Sequence, residues 1–184
     1  MREKIFKFRI VKFFNNNTLR LFILIIFSTS AAYASSPDSL KKKVEWTAKN
    51  AIFIEFWGID GMEAPISFNY DRILFNKDWF KTSIRIGGNI PQRTWGYFNS
   101  FPLLVNFIFG RRAVCFELGI GGVLLYEDLD YKTPSGAVSI GLGLRYQKPN
   151  GGLFVRAGLT PTIGYFGTYL WAGGIAGASI GYSF

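Results

Sequence analysis

Residues 171–184 decide the fold, and they read WAGGIAGASIGYSF. Taken at every second residue, positions 176 to 184 are alanine, alanine, isoleucine, tyrosine and phenylalanine, and the positions between them are glycine or serine. Because side chains alternate across a β-strand, this pattern predicts a strand with one apolar face and one face of small residues. Ile180, Tyr182 and Phe184 lie on the apolar face, and the strand ends on an aromatic residue.

Residues 1–34 have the pattern of a secretory signal peptide. They hold six basic residues and one acid, the apolar run 21–27, and then the A-x-A site formed by Ala32, Tyr33 and Ala34. The apolar run is shorter than the roughly 20 residues that a membrane-spanning helix needs. We therefore expect cleavage after Ala34 and export across the inner membrane of a Gram-negative bacterium.

The composition of the remaining chain narrows the class of protein. The net charge of +9 falls to +4 once the six bases and one acid of residues 1–34 are removed, so we expect no nucleic-acid partner. Cys115 is the only cysteine, so no disulfide can form within the chain. Aromatic residues make up 18% of the chain, and apolar residues mostly alternate, which indicates strands.

Eight alternating stretches follow a polar, basic segment. We interpret residues 35–50 as a loose periplasmic lead and residues 51–184 as the barrel domain. The predicted strands are residues 51–57, 66–75, 79–89, 101–109, 113–126, 136–147, 153–160 and 171–184. Short connections alternate with longer ones, including residues 90–100, 127–135 and 161–170, which is typical of outer-membrane barrels. The sequence therefore predicts an all-β fold, an eight-stranded antiparallel up-and-down transmembrane β-barrel.

The polar face of these strands carries balanced charges. It holds three carboxylates and three guanidiniums, from Glu55, Asp71, Glu117, Arg85, Arg145 and Arg156, among many glycines and serines. Small side chains suit a narrow barrel interior, and buried charges must be paired. The pattern thus predicts a structural ionic network in the core, with the apolar face toward lipid. The alternative is that the balance is chance and that these residues are solvated.

Six stretches in order carry a family resemblance. They are residues 50–55 (NAIFIE), 67–72 (SFNYDR), 100–106 (SFPLLVN), 144–147 (LRYQ), 152–161 (GLFVRAGLTP) and 181–184 (GYSF). Together they resemble a group of small, largely uncharacterised outer-membrane barrel proteins of the Bacteroidetes. The resemblance covers nearly all of residues 50–184 and implies an outer-membrane location and a barrel fold. It brings no activity with it. Ile180, Tyr182 and Phe184 resemble the ending that the barrel-assembly machinery recognises, so we expect that machinery as a partner.

The chain lacks residue types that outer-membrane barrel enzymes use for catalysis. It has no histidine, which excludes activation of serine or water by a histidine base. The chain also lacks the histidines and the second cysteine that a zinc or copper site would use as ligands. Glu127, Asp128 and Asp130 form an acidic cluster that we interpret as a solvated loop. We expect no enzymatic activity, no catalytic residue, no cofactor and no metal.

The sequence favours a structural or surface-interaction role for a monomer in contact with outer-membrane lipids and lipopolysaccharide. The predicted outer loop 90–100 supplies Arg93, Trp95 and Tyr97 as contact residues. Two alternatives stay open. One is a narrow channel or small-ligand carrier that uses the polar core, and the other is a secreted, soluble lipocalin-like barrel.

Overall fold

The strands of the computed structural model close into a barrel. The structure describes residues 45–56, 66–89, 98–127, 135–166 and 169–184. They form β1 (Asn50–Phe56), β2 (Ile66–Lys77), β3 (Phe80–Asn89), β4 (Phe98–Phe109), β5 (Val114–Glu127), β6 (Ser135–Gln147), β7 (Gly152–Phe166) and β8 (Tyr169–Ser183). Each strand pairs antiparallel with its neighbours in sequence, and β1 also pairs with β8. This confirms the predicted eight-stranded antiparallel up-and-down barrel. No helix in the described ranges is long and apolar enough to cross a membrane.

The two ends of the barrel differ in their connections. Short turns join β2 to β3, β4 to β5 and β6 to β7 at the end where β1 begins and β8 stops, which we call the short-turn end. The opposite end is the loop end. In the β2–β3 turn Asp78 has a φ of 44°, a left-handed conformation that aspartate tolerates better than most residues. Gly151, in the β6–β7 turn, has a φ of 92°, which favours glycine.

The β7–β8 hairpin is longer than the sequence predicts. A loop is expected over residues 161–170, but strand pairing runs from Pro161 opposite Gly174 to Phe166 opposite Tyr169. Pro161 has no backbone N–H, and the β6–β7 pairing is interrupted at its position. The pairing with β8 continues on the other side of the same strand. Strand β7 therefore extends through most of the segment predicted as a loop, because this proline interrupts only one of its two ladders.

The wall is apolar outside and polar inside. The exposed large apolar side chains include Ile52, Phe68, Ile86, Phe101, Leu103, Ile120, Leu124, Val138, Ile140, Leu142, Ile163 and Ile180. Tyr126 and Tyr165 are exposed near the loop end, and Trp79 and Tyr182 near the short-turn end. Charged and hydroxyl side chains are buried on the inner face of the same strands. The strands are therefore oriented opposite to those of a soluble barrel, with their polar face toward the barrel axis.

Residues 45–49 differ from the loose lead that the sequence predicts. Trp46 and Ala48 are buried at the short-turn end. The backbone N–H groups of Thr47 and Ala48 donate to the carbonyl oxygen of Pro149 at 3.0 and 2.9 Å. This part of the chain thus packs as a piece of the barrel, and the packed unit begins before residue 51. The preceding residues in the sequence are polar and basic, so the alternation that places Trp46 and Ala48 inside the barrel is not apparent from the sequence.

Candidate functional site

An alternating chain of ion pairs crosses the interior of the barrel. Its order is Arg85, Glu55, Arg156, Glu117, Arg145 and Asp71, with one side chain from each of β3, β1, β7, β5, β6 and β2. All six residues are buried, and none is more than 5% exposed. The structure thus brings together every residue that the sequence assigns to an ionic core. The remaining strands, β4 and β8, contribute uncharged polar residues to the same layer.

Two glutamates each bridge two guanidiniums. Glu117 contacts Arg156 from Oε1 to Nε at 2.6 Å and Arg145 from Oε2 to Nη1 at 3.1 Å. Glu55 contacts Arg156 from Oε1 to Nη1 at 3.3 Å, and its Oε2 accepts from Nη2 of Arg85. Because each carboxylate lies between opposite charges, the cost of removing these ions from water is offset by pairing and hydrogen bonds. The network links distant strands of the sheet through side chains alone.

Asp71 accepts hydrogen bonds on both carboxylate oxygens. Oδ1 accepts from Nη2 of Arg145 at 2.7 Å, and Oδ2 accepts from Oγ of Ser83 at 2.8 Å and Nδ2 of Asn106 at 3.0 Å. Nε of Arg145 donates to Oε1 of Gln147 at 2.9 Å. The charge pattern of the sequence did not single out Ser83 and Gln147. Each lies two residues from an inward arginine on the same strand, which is the signal that would have found it.

Two phenylalanines lie inside the polar core. Phe53 and Phe154 are buried and stacked, with ring centroids 4.7 Å apart. The guanidinium of Arg85 lies 5.2 Å from the Phe53 centroid, and that of Arg145 lies 4.9 Å from the Phe154 centroid. A cation over an aromatic ring at this distance is attracted to it, and desolvation strengthens the attraction. The rings therefore give two arginines a second favourable contact, which the sequence pattern did not reveal.

Trp46 and Lys81 fill the short-turn end of the interior. Trp46 belongs to a buried apolar cluster with two isoleucines and Cys115. The Lys81 ammonium lies 4.1 Å from the centroid of the Trp46 ring and donates to the carbonyl oxygen of Gly110 at 2.6 Å. In the described residues no carboxylate forms a salt bridge with Lys81, so a ring face and a carbonyl stabilise this cation instead. The sequence pattern did not predict that these two side chains fill this end of the interior.

Small and hydroxyl side chains line the interior between the ion pairs and the loop end. Ser139, Thr160 and Thr162 are buried there, and Oγ1 of Thr162 is 2.9 Å from Oγ of Ser139. On the other side of the interior, Leu104 packs in a buried cluster with a valine and an alanine. Gly141 lies next to the network, since a Cβ at this position would be 3.4 Å from Nη2 of Arg156. This half of the core therefore holds shorter side chains than the half with the arginines.

The carboxylates and arginines of the interior form ion pairs with one another. All three inner carboxylates contact at least one guanidinium, so each of them is part of an ion pair. Within the described ranges no group of three or more histidine, cysteine, aspartate or glutamate residues is placed to hold a metal ion. The expectations of no catalysis, no cofactor and no metal remain predictions.

The other residues singled out from the sequence lie elsewhere. Ile180, Tyr182 and Phe184 are on the outer wall at the short-turn end, each more than half exposed. The backbone of Phe184 exchanges two hydrogen bonds with Asn50, at 2.9 and 2.8 Å, which holds the end of β8 to β1. A role in assembly stays a prediction. Outside the described residues lie Ala32, Ala34, Arg93, Trp95 and Tyr97.

The fold is similar to that of a known barrel. No protein-family model matches the sequence, and no curated protein matches it. The crystal structure of the N-terminal β-barrel domain of Pseudomonas aeruginosa OprF is similar, with a TM-score of 0.51 and 15% sequence identity. The match covers 76% of this chain and 98% of that chain. It shows that the two proteins share a barrel fold. The resemblance to Bacteroidetes proteins is a separate matter and stays a prediction.

Proposed function

We propose that the protein is an integral outer-membrane β-barrel with a closed, charge-paired core and a structural or surface-interaction role. The observation that carries this proposal is that the barrel wall is apolar on its outer face and polar on its inner face. Ile120 and Ile140, midway along β5 and β6, are 50% and 44% exposed, while Glu117 and Arg145 on the same strands are buried. In water such a wall would expose a wide apolar surface, which soluble monomers rarely do. In a bilayer that surface meets hydrocarbon.

The closed core follows from barrel size and from what fills it. An eight-stranded barrel has an interior just wide enough for side chains. Here the network joins six of the eight strands and crosses the interior where Arg145 of β6 contacts Asp71 of β2, and Trp46 and Lys81 occupy the short-turn end. These contacts support a protein that acts through its surface and not through a pore. The proposed contact residues are Arg93, Trp95 and Tyr97 of the predicted outer loop 90–100, with outer-membrane lipids, lipopolysaccharide and the barrel-assembly machinery as partners of a monomer.

Fractionation of cells that express the full chain tests the location. We expect the protein in the outer-membrane fraction after an alkaline wash, with a gel mobility that changes on heating because the folded barrel resists detergent. Gly136→Ala provides a folded control, since a Cβ at Gly136 would meet nothing within 4 Å. Recovery of the wild type and this control in the soluble periplasmic fraction would contradict the proposal and favour the secreted lipocalin-like alternative.

A narrow channel or small-ligand carrier is the second candidate. The short side chains near the loop end favour it, because they leave the interior less filled there than around the arginines. Planar-bilayer recording separates the two candidates. The closed core predicts no steady current from the wild type. A steady current that Gly141→Leu abolishes, by placing a side chain against Arg156, would establish conduction and overturn the closed core.

A further inference from the structure

In the part of the chain that the structure describes, the exposed cations lie at one end of the barrel. Among the described residues, the arginines and lysines with exposed side chains all lie at the short-turn end, and they are Lys49, Arg72, Lys77, Arg111 and Lys148. They come from separate parts of the rim: the segment before β1, the end of β2, the β4–β5 turn and the β6–β7 turn. We call these five residues the cationic collar.

The collar has few opposing charges. The exposed acids in the described part of this end are Glu45 and Asp78. No described carboxylate forms a salt bridge with any collar residue, in contrast to the buried arginines, which are all paired. The rim therefore presents cations whose charge is not neutralised by neighbouring side chains.

An aromatic cluster lies beside the collar on the outer wall. Trp79, Phe80 and Phe109 are in mutual ring contact, with centroids 5.4 to 6.0 Å apart. Phe116 extends the cluster onto β5 at 6.3 Å from Phe109. Aromatic rings of this kind prefer the boundary between hydrocarbon and headgroups. If the wall crosses a bilayer, the neighbouring cations lie at the depth of lipid phosphates.

Arg72 shows how the collar meets this boundary. It projects from the outer face of β2 opposite Asn50, at the start of β1, and it is exposed next to apolar wall residues. A long cationic side chain at such a position extends its charged head toward the interface. A guanidinium there donates in pairs to phosphate oxygens, whereas the ammonium groups of Lys77 and Lys148 act as point charges.

We propose that the cationic collar binds anionic phospholipid headgroups of the membrane leaflet at the short-turn end. The proposal rests on the membrane location argued above. In an outer-membrane barrel the short turns are periplasmic, so the leaflet in question is the one made of phospholipid. A zwitterionic headgroup also carries a phosphate, but its own ammonium offsets that charge, so cations without carboxylate partners favour a headgroup with net negative charge. The adjacent aromatic cluster supports a position of the collar at headgroup depth.

Lipid association with the reconstituted full chain tests the collar. The probes are spin-labelled phosphatidylglycerol and phosphatidylcholine in phosphatidylcholine vesicles, and the readout is the immobilised fraction of each label. We expect phosphatidylglycerol to associate about fivefold more strongly for each cation in effective contact, with a preference that falls as salt rises. The variant with Arg72, Lys77, Arg111 and Lys148 changed to glutamine should lose this preference.

Glu45→Gln with Asp78→Asn is the matched control, because it removes charge of the opposite sign from the same end and should raise the preference. Equal association of the two lipids with the wild type, or a preference that survives the four glutamines, would overturn the proposal. A stronger association with lipid A that depends on the same cations would assign the collar to lipopolysaccharide and also overturn it. Failure of the folded chain to stay with the vesicles at all would count against the membrane location itself.

Discussion

The inner and outer faces of the barrel wall belong to the same strands but follow opposite rules. The inner face buries three arginines and three carboxylates that are all paired, and Lys81, whose ammonium contacts a ring face and a carbonyl oxygen instead. The outer face exposes isoleucine, leucine, valine and phenylalanine over most of its height. On the inside, stability depends on partners, because an unpaired buried charge is costly. On the outside it depends on the solvent, because the same apolar surface is unfavourable in water and favourable in lipid.

Removal of an inner arginine should have the largest effect. Arg145→Ala leaves Asp71 without a cation partner in the described core and takes one of two from Glu117. We expect a loss of about 3–5 kcal/mol in the free energy of unfolding, the usual cost of breaking a buried ion pair. Urea titration of the barrel in lipid vesicles, followed by heat-modifiable gel mobility, measures it. Asn76→Ala, an exposed residue of β2 outside the cationic collar, is the control, expected to change stability by less than about 0.5 kcal/mol.

A charge placed on the outer wall should cost somewhat less. Ile140 faces outward in the middle of β6, and Ile140→Arg should destabilise the barrel by about 2–4 kcal/mol in a bilayer. Leu124→Arg, near the loop end of β5, should cost only about 0–1 kcal/mol, because the cost of a charge falls toward the interface. The same urea titration compares them. Equal costs at the two depths would argue against a wall that crosses a membrane.

Overfilling the seam between β8 and β1 is the third test. A Cβ on Gly181 would collide with the carbonyl oxygen of Ile52 and with Phe53. Gly181→Ala should therefore cost about 1–3 kcal/mol, the range for forcing extra volume into a packed interior. Gly136→Ala, with open space around its new methyl group, should be close to neutral. If both variants unfold at the same urea concentration, the close approach at the seam does not limit stability.

The smallest effect concerns a neutral hydrogen bond of the inner face. Thr162→Val removes the hydroxyl that lies 2.9 Å from Oγ of Ser139 and should cost about 1 kcal/mol. Thr82 alternates with the buried Lys81 and Ser83, so its hydroxyl lies on the outer face of β3. Thr82→Val should be neutral or slightly stabilising. A larger loss at Thr82 would mean that the polarity of the two faces is less distinct than their burial indicates.

The sequence predicted the fold and the six charges of the core because both depend on alternation. A period of two assigns each residue to a face, and charge balance selects which face lies inside. The same alternation also places Ser83, Gln147, Phe53 and Phe154 on the inner face. Charge balance identifies only the charged residues of that face, so these four were not predicted. Pro161 interrupts the pairing of β7 with β6 but not with β8, and the sequence alone does not tell which neighbouring strand its missing N–H affects.

The chain by itself determined the number of strands, their order, and the separation of an apolar face from a charged one. These properties follow from local periodicity and from the preferences of single residues. Only the tertiary structure decided which charges meet. It placed Arg156 between Glu55 and Glu117, from strands far apart in sequence, and it turned Trp46 inward against Lys81. Such contacts depend on the stagger of the closed sheet, which sets the height of every side chain along the barrel axis and which no local pattern encodes.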